Sequence, residues 1–268
     1  MKTIKEMMCL SGRTVLVTGG AGHLGQAFGL ALAELGASVA LVDRRLNEAK
    51  ECADKITSLY NVKSSCFEIE LSDSEAVREL PQRVASELGG LDIIVNNAGF
   101  VGTDKLTGWC VPFEEQSIET WRAATEVNMT APFFLVQAAL PFLKAQNCGS
   151  VINISSIYGF LGPDMRIYSE TGMGENAAAY AVSKGGLIQS TRWLATVLAP
   201  HVRVNCVSPG GIWRNQPDLF VERYVSKTPL GRMGAEDDIT GIIAYLASDL
   251  SKYVTGQHIA VDGGWSAW

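Results

Sequence analysis

Short apolar runs alternate with longer helical patterns along most of this chain. The apolar runs mostly end at Gly, Asn, Asp or Ser, and they cover residues 14–17, 38–42, 66–69, 91–95, 151–154, 202–207 and 258–261. The segments between them repeat apolar residues at helical spacing, and they cover residues 24–35, 47–60, 73–88, 117–144, 177–198 and 236–247. Strands that alternate with helices are joined by right-handed crossovers, which place helices on both faces of a parallel sheet. The alternation therefore predicts an α/β fold, doubly wound around a parallel sheet of about seven strands.

Three stretches follow neither pattern: residues 100–116, 159–176 and 210–235. Hydrophobic residues make up 47% of the 268 residues, which is enough apolar material to cover both faces of such a sheet, and no linker or repeat divides the chain. We therefore predict one domain over residues 1–268. In open parallel sheets the loops after the carboxyl ends of the strands line the ligand crevice. The three stretches are thus expected to enclose a substrate.

Charge and cysteine usage argue against several classes of function. The net charge is −6, from 22 basic and 28 acidic residues, and the longest basic run is Arg44 and Arg45, which disfavours nucleic acid as a partner. No apolar run is long enough for a membrane span or a signal peptide, and none of the six cysteines has the spacing of a redox or zinc pair. We expect a reduced, cytoplasmic protein with no membrane partner. We infer no metal site, because the three histidines, His23, His201 and His258, set no ligand spacing.

A glycine-rich turn joins the first predicted strand to the first long helical pattern. In the segment VLVTGGAGHLG, Gly20, Gly22 and Gly25 satisfy G-x-G-x-x-G in the strand-turn-helix context that this motif requires. Glycines permit a tight turn there and let a pyrophosphate approach the backbone N–H groups at the start of the helix. An ordinary glycine-rich turn is the alternative. The context favours a Rossmann-type, dinucleotide-binding turn.

Asp43 ends the second predicted strand, near the spacing at which a carboxylate accepts hydrogen bonds from the adenosine ribose. A 2′-phosphate beside it would be repelled, so Asp43 favours NAD as the cofactor. Arg44 and Arg45 could turn toward such a phosphate, and the alternative is that both are solvated surface charges. We prefer the alternative because residues 21–23 of the glycine turn contain no lysine or arginine.

Tyr180 and Lys184 lie four residues apart, hence on one face of a predicted helix. Such a pair alone is not specific, but here it occurs together with other segments in a fixed order. These segments are LSGRTVLVTGG, NNAG at 96–99, VNMT at 127–130, INISS at 152–156, YAVSK at 180–184, RVNCVSPGGI at 203–212, PLGRMG at 229–234 and TGQHIAVDGG at 255–264. Together they resemble the short-chain dehydrogenases/reductases, in the single-domain branch with a Tyr-x-x-x-Lys pair, over nearly the whole chain. The segments SIYGFLGPDMRIY and SPGGIWRNQP resemble sequences of the flagellin-modification and surface-sugar oxidoreductase subgroup.

The resemblance implies a catalytic tetrad of Asn128, Ser156, Tyr180 and Lys184. A free tyrosine has a pKa of about 10, and a neighbouring lysine ammonium lowers it toward neutrality. Tyr180 would then transfer a proton, Lys184 would also bind the nicotinamide ribose, Ser156 would bind the substrate oxygen and Asn128 would hold a water. Taken singly, Ser156 would rather be a strand-end hydroxyl and Asn128 a residue that fills a helix bend, but within the matched segments the catalytic roles are favoured. Ser155 is the neighbouring candidate.

The resemblance also implies NAD as the cofactor and a set of residues that bind it. These are Gly19, Gly22, His23, Leu24, Gly25, Asp43, Glu70, Leu71, Asn96, Asn97, Ala98, Gly99, Tyr180, Lys184, Pro209, Gly210 and Ile212. Relatives commonly assemble through their long helices and carboxyl-terminal segment. We therefore expect a homotetramer or homodimer, with Trp265 and Trp268 at or near an interface.

The interval between Ser156 and Tyr180 is longer than is common in the family. The inserted stretch, residues 159–176, carries polar groups suited to a polyhydroxylated substrate, and the alternative is a solvated loop. The groups are Asp164, Arg166, Tyr168, Ser169, Glu170, Thr171 and Asn176. Arg214 replaces the usual threonine, where it could clamp a pyrophosphate or an anionic substrate, or simply carry surface charge.

These observations predict an NAD(H)-dependent oxidoreductase that interconverts a secondary hydroxyl and a ketone. Its substrate is expected to be a polar small molecule of the sugar or polyol type. The alternatives are a 3-oxoacyl thioester reductase, which should prefer NADPH, and a regulator that binds the dinucleotide without chemistry.

Overall fold

The computed structural model describes residues 1–102 and 106–268 of the chain. Seven strands form one sheet in the order β3-β2-β1-β4-β5-β6-β7, and every neighbouring pair is parallel. The strands are β1 (Thr14–Thr18), β2 (Ser38–Asp43), β3 (Ser64–Glu68), β4 (Ile93–Asn96), β5 (Gly149–Ile154), β6 (Val202–Pro209) and β7 (His258–Val261). The strand order reverses beside β1, because β2 lies on one side of it and β4 on the other. The predicted Rossmann-type sheet is confirmed, and such a reversal is where ligands bind in these folds.

One short helix precedes β1, and the other helices lie between successive strands. They are α1 (Ile4–Met8), α2 (His23–Glu34), α3 (Leu46–Tyr60), α4 (Ser74–Leu88), α5 (Ile118–Thr125), α6 (Ala131–Ala145), α7 (Ala178–Leu198), α8 (Asp218–Val225) and α9 (Asp237–Ala247). A π-helical segment, Glu126–Thr130, joins α5 to α6. The single helical pattern predicted over residues 117–144 is therefore three consecutive segments.

Two apolar cores cover the faces of the sheet. On one face Val15 and Val17 of β1 pack with residues of α2, α3 and α9, among them Phe28 and Ile243. On the other face Leu16 packs with residues of α4, α6 and α7. Successive strand residues point to opposite faces, so one strand contributes to both cores. Helices on both faces are thus confirmed, with α2 and α9 together on the first.

Two helices fall outside the predicted patterns. Helix α1 has five residues and buries none of them, and α8 lies inside the stretch 210–235, which was expected to have no regular structure. Helix α8 buries only Phe220 and Tyr224, so its apolar pattern is too short to stand out from the sequence. Part of the predicted stretch 100–116, residues 103–105, lies outside the described residues.

Within residues 1–102 and 106–268, every helix is too short or too polar to cross a membrane. The same part of the chain contains no cluster of three or more His, Cys, Asp or Glu side chains arranged to hold a metal ion. All six cysteines are free thiols.

Candidate active site

A cleft of about 780 Å³ opens at the carboxyl ends of the central strands. It begins beside the glycine turn after β1, passes the ends of β2 and β4, and reaches the loops that follow β5 and β6. The predicted site residues that line it are Gly19, Gly22, His23, Leu24, Asp43, Glu70, Leu71, Asn97, Ala98, Gly99, Ser156, Tyr180, Lys184, Pro209, Gly210 and Ile212. The structure therefore brings residues far apart in sequence to one cavity, at the edge of the sheet where the fold places ligand sites.

The glycine turn is packed too tightly for side chains. Gly19 has a φ of +67°, and a Cβ there would lie 2.9 Å from the Ala98 Cα. A Cβ on Gly25 would lie 2.1 Å from the Gly19 carbonyl oxygen, so Gly25 packs the first turn of α2 onto the glycine turn and does not itself line the cleft. Gly22 is the N-cap of α2 and offers no side-chain acceptor to the first N–H groups of the helix. Those N–H groups are thus available to an anion.

The turn after β4 is fixed to β1 by Thr18 and Asn97. The Thr18 hydroxyl oxygen accepts from the backbone N–H of Asn97 at 3.0 Å and of Ala98 at 3.1 Å. The Asn97 side-chain amide donates to the Thr18 carbonyl oxygen at 2.9 Å. Asn96, by contrast, points away from the cleft and donates to the buried Asn153 at 2.8 Å. Of the two asparagines, Asn97 is the one that borders the cavity.

Asp43 lies at the floor of the cleft, with 8% of its side chain exposed. Its two oxygens accept from the backbone N–H groups of Ala21 and Arg45, each at 3.0 Å. A carboxylate has about four acceptor positions, so positions remain for a ligand's hydroxyls. The Arg45 guanidinium lies 3.5 Å from Asp43, and Arg44 lies 3.9 Å from Glu70. Both arginines line this end of the cleft, as does each of the carboxylates beside them.

Tyr180 and Lys184 lie at the other end, on α7. The Lys184 ammonium donates to the Ile154 carbonyl oxygen at 2.8 Å and lies 5.9 Å from the centre of the Tyr180 ring. Burial lowers the pKa of Lys184 to about 8. Tyr180 keeps some exposed area toward the cleft, yet burial raises the pKa of its phenol, and a hydrogen bond with Ser156 acts in the opposite direction.

Ser155 and Ser156 have different surroundings although they are adjacent. The Ser155 hydroxyl donates to the Lys184 carbonyl oxygen at 2.8 Å, which ties it to α7. The Ser156 hydroxyl accepts from the Tyr158 N–H at 3.2 Å and faces the cleft beside Tyr180. Both serines line the cleft, but Ser156, rather than Ser155, is the one whose hydroxyl is hydrogen-bonded to Tyr180.

Asn128 sits in the π-helical segment and is fully buried behind the cleft wall. Its side-chain oxygen accepts from the Phe100 N–H at 2.6 Å, and its amide donates to the Ser183 hydroxyl at 3.0 Å. A Cβ on Gly99 would lie 3.5 Å from the Lys184 Nζ and 3.6 Å from the Asn128 Oδ1, so both polar groups meet at Gly99. Asn128 lies next to Lys184 without lining the cleft itself.

The polar groups of the stretch 159–176 face away from the cleft, contrary to the expectation that they would meet a substrate. Asp164 is paired with Arg166 at 2.8 Å and with Lys227, and these partners hold the pKa of its carboxyl well below the usual range. Arg223 of α8 donates to the Arg166 and Ser169 carbonyls and lies 3.7 Å from Glu170. The Tyr168 hydroxyl is bonded to the Tyr158 hydroxyl at 2.8 Å, and Thr171 to the Tyr168 carbonyl at 2.7 Å. Arg223 of α8 and Lys227, just after it, thus fasten the stretch to this part of the chain.

Several residues that line the cleft were not individually assigned to it from the sequence. Near Tyr180 the wall is formed by Phe100 and Val101, which lie in the predicted stretch 100–116, and by Val127, the first residue of the VNMT segment. Arg214 also lines the cleft. Its guanidinium is 2.8 Å from a Glu236 carboxylate oxygen and donates to the Trp213 carbonyl at 2.7 Å. The replacement of threonine by arginine was visible in the sequence, but the partner Glu236 was not.

The fold and this cleft define a dinucleotide-dependent oxidoreductase. Residues 19–266 match the family model described as enoyl-(acyl carrier protein) reductase. The chain is 34% identical over 260 residues to the 3-oxoacyl-[acyl-carrier-protein] reductase of Aquifex aeolicus, with 95% of this chain and 98% of the relative covered. The protein belongs to the short-chain dehydrogenase/reductase family.

Two solved structures of similar fold contain a dinucleotide. A short-chain dehydrogenase from Leptospira borgpetersenii with bound NAD+ has a TM-score of 0.82 and 31% identity, covering 99% of this chain and 96% of that one. A structure from Beutenbergia cavernae, described as an NAD(P)-dependent gluconate 5-dehydrogenase with NADP at low occupancy, has a TM-score of 0.84 and 31% identity, covering 98% and 100%. This chain is thus similar both to an NAD+-bound and to an NADP-bound protein.

Proposed function

We propose that the protein is an NAD(H)-dependent oxidoreductase that interconverts a secondary hydroxyl and a ketone. The observation that carries the proposal is the meeting of the Tyr180 and Ser156 hydroxyls with the Lys184 ammonium at one end of a cleft whose other end is lined by Asp43. An acid-base pair at one end and a ribose acceptor at the other match the two ends of a nicotinamide dinucleotide.

The residues of the cleft fit that cofactor. Gly19 and Gly22 line the cleft beside the first N–H groups of α2, where a pyrophosphate would bind, and Asp43 keeps acceptor positions for ribose hydroxyls. We propose that Pro209, Gly210 and Ile212 contact the nicotinamide end, since they line the part of the cleft after β6. When bound, the cofactor accepts or supplies a hydride at its nicotinamide ring.

The protein's own residues then handle the proton. In the reducing direction Ser156 holds the carbonyl oxygen and Tyr180 donates its proton to that oxygen; in the oxidising direction Tyr180 takes the proton back. The Lys184 ammonium lies 5.9 Å from the centre of the Tyr180 ring, and a positive charge in that position favours the phenolate over the phenol. The hydrogen bond with Ser156 also lowers the pKa of Tyr180, against the effect of burial.

Asn128 is buried behind the cleft wall and contributes by positioning other residues. It bonds Phe100 on one side and Ser183, the residue before Lys184, on the other. We propose that it holds the lysine end of α7 against the turn after β4. The water relay that the family resemblance implies for Asn128 stays a prediction.

We propose a sugar or polyol-like substrate first and a 3-oxoacyl thioester second. The first is supported by the similarity to the protein described as a gluconate 5-dehydrogenase. The second is favoured by the apolar wall of Phe100, Val101 and Val127 and by the similarity to the Aquifex aeolicus reductase. Asp43 argues against the NADPH that the second reaction would be expected to use.

The test is turnover by wild type and by Tyr180→Phe, followed through nicotinamide absorbance with a panel of sugars, polyols, small ketones and one 3-oxoacyl thioester. We expect wild type to turn over one class, and the variant to lose about 10²- to 10⁴-fold in kcat with an unchanged Kd for NADH. Wild type that binds NADH but turns over no member of the panel would favour the non-catalytic regulator instead.

We also propose that the protein forms homodimers or homotetramers through α5, α6 and α7. Trp121, Phe133 and Trp193 on these helices are each more than a third exposed, and the rings of the last two lie 6.4 Å apart. Such a patch is typical of a contact surface. Trp265 is buried within its own chain, so it does not supply the exposed surface expected of it, whereas Trp268 is 80% exposed. A light-scattering mass equal to one chain would contradict the assembly.

The cytoplasmic location stays a prediction.

A further inference from the structure

The turn Gly210, Gly211 and Ile212 separates the cleft from a second cavity. This second cavity has a volume of about 120 Å³ and lies between the turn, α8 and the start of α9. Gly210 and Ile212 line both cavities, so the turn is a wall one residue thick. Whatever fixes this wall from behind also fixes the surface that it presents to the cleft.

Tyr224 of α8 contacts the turn from the side of the second cavity. Its hydroxyl oxygen accepts a hydrogen bond from the Gly211 N–H at 2.5 Å, and its side chain lines the second cavity but not the cleft. A Cβ on Gly211 would lie 2.8 Å from the Tyr224 ring, so the contact requires glycine there. Tyr224 therefore touches neither the space for the cofactor nor that for the substrate.

Both backbone polar groups of Gly211 are hydrogen-bonded. Its N–H is bonded to Tyr224, and its carbonyl oxygen accepts from the Gly234 N–H at 2.9 Å. Immediately beyond it the Trp213 N–H donates to the Gly234 carbonyl at 2.9 Å. With both polar groups of Gly211 bound, the orientation of the neighbouring peptides in the wall is set by contacts outside the cleft.

Tyr224 is itself held in place. Its ring stacks on Trp265 at 5.7 Å and on Phe220 at 6.0 Å, and only 3% of the residue is exposed. Burial raises the pKa of its phenol to about 12, so the hydroxyl is neutral in the working range of the protein. Because the stacked aromatic rings fix the Tyr224 ring, the position of its hydroxyl is fixed as well.

We propose that Tyr224 is a positioning residue that sets the Gly210–Ile212 wall for the nicotinamide end of the cofactor. The inference rests on the proposed function, because it assigns that wall to the nicotinamide. The adenosine end, at Asp43 and the glycine turn, lies at the opposite end of the cleft and has no contact with Tyr224. Loss of the Tyr224 hydroxyl is therefore expected to weaken binding of the nicotinamide half and to leave the other half unchanged.

The experiment compares NADH with ADP-ribose, which keeps the adenosine and the pyrophosphate but lacks the nicotinamide. Tyr224→Phe removes one oxygen and keeps the stacked ring. By calorimetric titration we expect its Kd for NADH to rise about tenfold and its Kd for ADP-ribose to change less than about twofold, as for one hydrogen bond lost to a buried N–H. Tyr168→Phe is the matched control, since it removes a hydroxyl from the same aromatic cluster without touching the turn. It should leave both constants at the wild-type values.

Three results would overturn the inference. An unchanged Kd for NADH in Tyr224→Phe would show that the wall does not depend on the hydroxyl. Equal weakening of NADH and ADP-ribose, or the same NADH loss in Tyr168→Phe, would show a general structural effect. Wild type that binds neither molecule would instead overturn the proposed function, and the inference with it, so the two failures are distinguished by the wild-type titration.

Discussion

The Lys184 ammonium donates a hydrogen bond to the carbonyl oxygen of Ile154 across 2.8 Å. Ile154 is the last residue of β5, directly before Ser155 and Ser156. The bond therefore joins the helix that carries Tyr180 to the strand that leads to its hydroxyl partner. The bond also keeps the Lys184 ammonium in a buried position, and this burial lowers the pKa of Lys184 to about 8.

This burial predicts a pH-dependent stability. Between the folded pKa of about 8 and the ordinary value of 10.5, the unfolded chain binds more protons at Lys184 than the folded chain does. Stability from this residue is therefore complete above 10.5 and is lost as pH falls through about 8. We expect the free energy of unfolding of wild type, relative to Lys184→Met, to rise over this interval by up to about 3 kcal/mol.

The measurement is urea unfolding of both proteins across that pH interval. Lys252→Met, at an exposed position, is the control and should show a constant offset from wild type. A constant offset for Lys184→Met as well would mean that the lysine titrates alike in both states.

Asp43→Ser is predicted to reduce the preference for NADH over NADPH. The carboxylate and a 2′-phosphate are like charges, and at about 4 Å their repulsion amounts to about one to several kcal/mol. We expect the ratio of the two Kd values to change at least tenfold, roughly 1.4 kcal/mol, in favour of NADPH. Glu68→Gln is the control, because Glu68 pairs in register with Asp43 but lies outside the cleft lining. If wild type already binds both cofactors equally, the assignment of Asp43 as the selective residue is wrong.

Arg214→Thr is predicted to weaken NADH and ADP-ribose to the same extent, about tenfold each, because charge-assisted hydrogen bonds to phosphate are lost. Arg214 is paired with Glu236, directly before α9, and α9 shares a face of the sheet with α2. Arg214 and the glycine turn also line the same cleft. Titration of both molecules checks the prediction, with Arg166→Gln as a distant control. A higher KM for an anionic substrate alone, with both Kd values unchanged, would assign Arg214 to the substrate instead.

Arg203→Met is predicted to destabilise the fold without changing NADH affinity. Its guanidinium donates to the Leu246 carbonyl at 2.9 Å and to the Ser248 carbonyl at 3.4 Å, at the carboxyl end of α9. A cation there interacts favourably with the helix dipole, and buried carbonyls left without donors are costly, so we expect a loss of about 1–3 kcal/mol. Thermal unfolding and NADH titration of the same sample check it. A lower affinity at unchanged stability would contradict a purely structural role.

The sequence predicted what depends on regular spacing. The seven strands and the long helices follow from apolar periodicity, and the glycine turn follows from residues that admit no Cβ, as the contacts of Gly19 and Gly25 explain. Periodicity carries no information on which way an irregular segment turns its side chains. The polar groups of 159–176 were thus expected in the cleft, whereas Asp164 binds Lys227, which follows α8 and is 63 residues away in the chain.

The same reason explains what sequence reasoning missed at the site. Phe100, Val101 and Val127 form a wall only because the turn after β4 meets the π-helical segment, and neither the stretch 100–116 nor the VNMT segment indicates that these three side chains meet. Tyr224 was not singled out because the bond between it and Gly211 joins two irregularly connected segments. Such contacts depend on tertiary geometry, which residue types alone do not define.

The π-helical segment Glu126–Thr130 makes chain length critical at this point. A wider turn accommodates one residue more than an α-helix would, and each residue of an α-helix rotates the following ones by about 100°. Deletion of a single residue between α5 and α6 would therefore turn either Asn128 away from Lys184 or the apolar face of α6 away from the sheet. The protein therefore cannot lose a residue at this point without disturbing either the site or the core.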